Sequence, residues 1–131
     1  INTPASAADF TLDDAQVLAS FSINISFASN SSKISSEYTS SLAQVIDALE
    51  QYDNAGVIIH GHASLDGDAA YNQRLSERRA SAVAALLIES ADIGSRRITS
   101  VGYGETRPLI DEESLAANAK NRRIEATIIQ L

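Results

Sequence analysis

The chain has 131 residues, of which 44% are hydrophobic and 21% charged, enough for one globular domain with a real core and too apolar for a disordered chain. Its net charge of −7 opposes binding to a phosphate backbone, so nucleic acid is not an expected partner. It has no cysteine, which excludes disulfides and thiolate metal sites, and no run approaches the roughly 18 apolar residues that span a bilayer.

Residues 1–9 are small and polar and read as a lead-in. Residues 10–20 predict a short helix opening after Thr11, with Asp13 and Asp14 in the first turn where the helix dipole favours acids. This gives 1–20 as a lead-in and 21–131 as the domain. Phe21 to Phe27 alternates apolar and polar residues and predicts a half-buried strand. After a polar loop to Lys33, Ser35 or Ser36 can cap a helix whose apolar positions are Tyr38, Leu42, Val45, Ile46, Leu49 and Tyr52, ended by Asn54-Ala-Gly56. Val57 to His60 is a short apolar run, a strand buried on both faces.

A loop over 61–67 leads into a long helix from about Asp68 to Glu89. Ser76, Ala80, Val83, Ala84 and Leu87 form its buried stripe, widened by Leu75, Ala82 and Leu86. Ile98 to Tyr103 reads as a strand and 104–118 as a loop containing Pro108. Arg123 to Gln130 reads as a closing strand with Ile124, Ala126 and Ile128 on one face. The order β-α-β-α-β-loop-β predicts an α+β sandwich with two main helices on one face of a mixed sheet of about four strands.

The charges are unevenly placed. Residues 1–70 carry nine acids and one base, and all eight arginines lie in 71–131. Arginine binds carboxylates through a planar fork of donors, so this bias points to a local anion site, with surface ion pairs as the plainer reading. Leu75-Ser-Glu-Arg-Arg-Ala80 is expected in the first turns of the long helix, where free N–H groups favour an anion. Asn121-Arg122-Arg123 precedes the last strand and can add donors to the same rim, and Asn72 offers both a donor and an acceptor. Arg78 and Arg123 also suit salt bridges. His60 and His62 share a strand face, but no clear third metal ligand accompanies them. Ser64 beside His62 lacks an orienting group and an oxyanion hole, so no catalytic residue is assigned. Gly102-Tyr-Gly104 lacks the length and lysine of a phosphate-binding loop.

Four ordered motifs go further: Gly61-His62-Ala-Ser, Tyr71-Asn72-Gln-Arg-Leu75-Ser76-Glu-Arg78-Arg79-Ala80, Val101-Gly-Tyr-Gly104-Glu-Thr-Arg-Pro108 and Asn121-Arg122-Arg123-Ile124-Glu125. With these, residues 21–131 resemble the OmpA-like domain, the peptidoglycan-associating module of Gram-negative outer-membrane proteins, envelope lipoproteins and flagellar stator proteins. The resemblance implies a β-α-β-α-β-β fold and a non-enzymatic periplasmic module without a cofactor. It implies noncovalent binding of the diaminopimelate residue of the peptidoglycan stem peptide, tethering a larger envelope protein. The chain begins at Ile1 and has no methionine, so any outer-membrane anchor is expected outside it, with no membrane insertion by the domain itself.

By the same resemblance Arg79 and Arg122 hold a ligand carboxylate, Asn72 and Asn121 bond its amides, and Ser64, Asn30 and His62 line the pocket. The sequence departs from the family at two positions. Where a Gly-His-Thr-Asp motif would place the acid that takes the ammonium, it has Ser64, and Ala28 stands at a second acidic position. Asp66 or Asp68 can reach in from the loop and compensate, or either simply caps the helix. The alternative that the double loss of acids motivates is a protein-interaction module on the same fold, for an envelope partner, that has lost diaminopimelate binding.

Overall fold

The computed structural model describes residues 16–23, 27, 31–34, 42–91, 93–112 and 114–131. The expected helix start at Ser35 or Ser36, Tyr38, Ala28 and Asn30 lie outside the described residues. Strand β1 (Gln16–Ile23) is followed by helix α1 (Ala43–Gln51), strand β2 (Ala55–Gly61) and helix α2 (Ala69–Ala91). A turn of 3-10 helix (Ser95–Arg97), strand β3 (Ile98–Gly102), helix α3 (Leu115–Asn121) and strand β4 (Ile124–Gln130) complete the order.

The sheet order is β1-β4-β2-β3. β4 runs antiparallel to both β1 and β2, and β3 runs parallel to β2. The last strand of the chain is therefore inserted between the first two, and it fixes the register of both. Ala126 sits between Phe21 and Ile59, and Ile128 between Ala19 and Val57. Because alternate residues share a face, Val57, Ile59, Ile124, Ala126 and Ile128 form one apolar surface. Val45 and Leu49 of α1 and Ala80, Val83 and Leu87 of α2 complete this core. α2 lies along β2 and β3, while α1 lies over β1, β2 and β4. The α+β architecture, with two main helices on a four-stranded mixed sheet, matches the expectation from hydrophobic periodicity.

Two glycines set how closely α2 approaches the sheet. A Cβ on Gly61 would lie 2.2 Å from the Ser76 carbonyl oxygen, and one on Gly102 would lie 2.5 Å from the Glu77 backbone nitrogen. At the other end of the sheet Arg97 closes α1. Its guanidinium donates to the Leu49, Tyr52 and Ala55 carbonyls at 2.7, 2.9 and 2.8 Å, and this places a cation where the helix dipole ends negative.

Three expectations need correction. Residues 16–20 of the predicted 10–20 helix form the start of β1, since they pair with β4 from Gln16↔Gln130 onward. Strand pairing overrides a weak local helix pattern, and residues 10–15 lie outside the described residues. Asn54-Ala-Gly56 does not end α1, which stops at Gln51; Ala55 and Gly56 are already strand. The expected 104–118 loop contains the start of α3. The Ser114 side chain caps it by accepting from the Ala117 N–H at 3.0 Å. This short helix buries no apolar stripe, and Leu115 is 90% exposed, so it gives no periodic signal.

Gly61→Ala should destabilise the domain by about 1–3 kcal/mol or more, because the helix backbone must move away. Gly94→Ala, where nothing lies within 4 Å, should not lower stability. Val83→Asp or Leu87→Asp should cost several kcal/mol by placing an unpaired carboxylate in the core. Thermal melts of the purified variants check all four.

Candidate functional site

The site is built where β2 leaves the sheet. The His62 N–H donates to the Arg123 carbonyl at 2.9 Å and the Ala63 N–H to the Gly104 carbonyl at 2.8 Å, which extends the sheet by one step on each side. The chain then turns sharply through Gly67, at φ 92°, a conformation that favours glycine. Asp68 caps α2 by accepting from the Tyr71 N–H at 2.8 Å. The Asn72 amide nitrogen reaches back from the first turn of α2 and donates to the carbonyls of Asp66 at 2.9 Å and Ser64 at 3.4 Å. The Ser64 hydroxyl in turn accepts from the Asp66 N–H at 3.4 Å. These bonds hold residues 64–68 as one rigid turn.

Between this turn, the flank of α2 and Phe27 lies a pocket of about 330 Å³. Ala63, Ser64 and Asp66 supply its loop side, Tyr71, Asn72, Leu75 and Arg79 its helix side, and Phe27 and Arg122 its remaining walls. Arg79 is only 5% exposed. Its Nε donates to the Ser31 carbonyl at 2.9 Å, and its guanidinium carbon stands 4.8 Å from the centre of the Phe27 ring, a cation–π distance. Burial first, and then the positive charge of Arg122, hold its pKa below the ordinary arginine value. A carboxylate entering the pocket meets two guanidinium groups, one of them largely stripped of water, where charge-assisted hydrogen bonds are strongest.

Of the residues assigned from the sequence, the fold thus gathers Ser64, Asn72, Arg79 and Arg122 around one pocket. It places Asn121 elsewhere. That side chain is fully buried, accepts from the Leu109 and Ile110 N–H groups at 2.7 and 2.9 Å, and donates to the Ile110 carbonyl at 2.8 Å. It fastens the loop before α3 and does not line the pocket. The expected position of Leu75–Ala80 in the first turns of the helix is also corrected. α2 begins at Ala69, so Arg79 sits well inside it, and side chains rather than free helix N–H groups make the site. Phe27, Tyr71 and Leu75 complete the pocket, and no pattern in the sequence marks them for it: Phe27 reads as the last residue of a strand and Leu75 as part of the buried stripe of the helix.

His62 does not line the pocket either. It is 4% exposed and belongs to a cluster in which both His60 and His62 stack on Tyr103, at ring-centre distances of 5.6 and 5.3 Å. Arg107 covers the Tyr103 ring at 3.9 Å. His60 Nε2 lies 3.1 Å from the Thr127 hydroxyl. Neither ring nitrogen of His62 has a hydrogen-bond partner among the described residues, and its Nε2 is 3.9 Å from Glu125. Burial, followed by the charge of Arg123, lowers the His62 pKa to about 4. Burial alone would raise that of Glu125, but the Arg123 ion pair outweighs it and the pKa falls below the usual carboxylate value.

Comparison with known proteins gives a consistent set of relatives. The OmpA family model matches residues 26–122. Outer membrane porin F of Pseudomonas aeruginosa is 35% identical over 106 residues, which is 81% of this chain and 30% of the porin. Peptidoglycan-associated lipoprotein of Mesorhizobium japonicum is 32% identical over 126 residues, covering 96% of this chain and 70% of the lipoprotein. The chain thus spans less than a third of the porin and over two thirds of the lipoprotein. A solved structure, the cell wall anchor of the type VI secretion system from Pseudomonas aeruginosa, superposes with a TM-score of 0.71 at 30% identity, covering 86% of this chain and 80% of that one.

A histidine held neutral by burial favours the folded state above its unfolded pKa and loses that stability as pH falls towards its folded value. The domain should therefore weaken between about pH 6.5 and 4, with His62 contributing about 2 kcal/mol after solvent screening. His62→Phe keeps the ring stack and removes the titration, so its melting temperature should depend less steeply on pH across that window.

Proposed function

The chain belongs to the OmpA family, and we propose that it is a non-enzymatic cell-wall-binding module of the Gram-negative periplasm. In this reading the pocket takes the diaminopimelate end of a peptidoglycan stem peptide. Arg79 and Arg122 receive its carboxylate, Ser64 and Asn72 shape the wall beside it, and the domain tethers a larger outer-membrane-associated protein without a covalent bond. Relatives named as a peptidoglycan-associated lipoprotein and a cell wall anchor support the class of ligand. Among the described residues, no helix is long and apolar enough to cross a membrane.

The observation that carries the proposal is the buried guanidinium of Arg79 in a pocket that also holds Arg122, Asn72 and Asp66. Arg79 is fixed in place by the Ser31 carbonyl and the Phe27 ring, so the cavity is lined in advance with the charge-assisted donors that suit a carboxylate.

Co-sedimentation with purified sacculi tests the reading. Wild-type protein should be retained well above a control protein, and Arg79→Ala should lose most of that retention. Because Arg79 is buried, bonds Ser31 and packs on Phe27, the same substitution should also cost about 1–2 kcal/mol of stability. Its melt must therefore be recorded alongside, and a folded Arg79→Ala variant retained like wild type would remove the pocket from the reading.

A further inference from the structure

Resting on the wall-binding reading of the pocket, we infer that Asp66 supplies the carboxylate that receives the ligand's ammonium group, in place of the acid that the family motif would put at position 64. Of the two candidate acids, Asp68 is occupied, since its carboxylate caps α2 through the Tyr71 N–H at 2.8 Å. Asp66 lines the pocket together with Arg79 and Arg122. Its carboxylate has no hydrogen-bond or ion-pair partner among the described residues, while its backbone is held on both sides. The Asp66 N–H donates to the Ser64 hydroxyl at 3.4 Å, and its carbonyl accepts from Asn72 at 2.9 Å.

Ser64 therefore has a different task from the acid it replaces. A neutral hydroxyl gives an ammonium far less than a carboxylate does, but here it accepts from Asp66 and fixes the turn that carries the charge. Gly67, at φ 92°, lets the chain reverse immediately afterwards, so the anion is presented by a short braced segment. The result is two arginines and one aspartate lining a single cavity. That pattern complements a zwitterionic amino-acid end, with its carboxylate on the arginines and its ammonium on Asp66.

Calorimetric titration of the full chain with a stem tripeptide ending in diaminopimelate tests this at low salt. Asp66→Asn should weaken binding about five- to tenfold, a modest factor because the site is partly open to water. The same tripeptide with its free amine acetylated should bind wild type and Asp66→Asn equally. Adding Ser64→Asp to Asp66→Asn should recover much of the loss, since it returns a carboxylate to the same turn. If Asp66→Asn matches wild type on the native tripeptide while Arg79→Ala loses binding, the role of Asp66 is overturned and the wall-binding reading stands. If wild type does not bind the tripeptide at all, the diaminopimelate reading fails and takes this inference with it.

Discussion

The closeness of α2 to the sheet governs the rest of the molecule. At Gly61 and Gly102 there is no room for a side chain, so the helix backbone rests almost directly on β2 and β3. The contact is polar as well as steric. The Ser76 hydroxyl accepts from the Gly104 N–H at 2.9 Å and donates to the Gln73 carbonyl at 2.9 Å, while the Gln73 amide donates to the Gly102 carbonyl at 2.6 Å. These bonds satisfy backbone groups at the strand ends that would otherwise be buried without partners. They also lock the end of β3 and the first half of α2 into one block.

The candidate site is a consequence of that block. Residues 62–64 continue from a strand whose register is fixed, and Asn72 and Arg79 project from a helix that cannot slide. The Asn72 amide bonds then tie the connecting turn to the helix. Positioning charged groups in advance lowers what a ligand must spend on ordering them. The same arrangement accounts for the burial of Arg79, whose guanidinium lies between Phe27, the Ser31 carbonyl and the pocket. The guanidinium that packs on Phe27 and bonds Ser31 is also the group proposed to receive the anion, so a single truncation should touch both stability and binding.

Much of the fold was legible in the sequence because its core elements follow strong periodicities. Ser76, Ala80, Val83 and Leu87 recur at helical spacing and are buried, and Ile124, Ala126 and Ile128 alternate on the core face of β4. The start of β1 was not legible, because an edge strand takes its pairing from the far end of the chain. α3 gave no pattern since it hides little apolar surface. At the site, the motifs singled out Ser64, Asn72, Arg79 and Arg122, which the fold brings together. They also suggested Asn121, whose donors and acceptor are taken by a loop that only tertiary structure brings near. The choice between Asp66 and Asp68 depended on which one caps the helix, a question of backbone geometry that two acids in one short loop leave open.

The central claim is that the pocket between the 64–68 turn, α2 and Phe27 is the ligand site. Amide and arginine side-chain NMR shifts of the labelled chain, followed during titration with the diaminopimelate tripeptide, test it most directly. The account predicts saturable shifts concentrated at residues 63–66, Asn72, Arg79 and Arg122, with little change along α1 or β1. No shifts, or shifts confined to other surfaces, would contradict it.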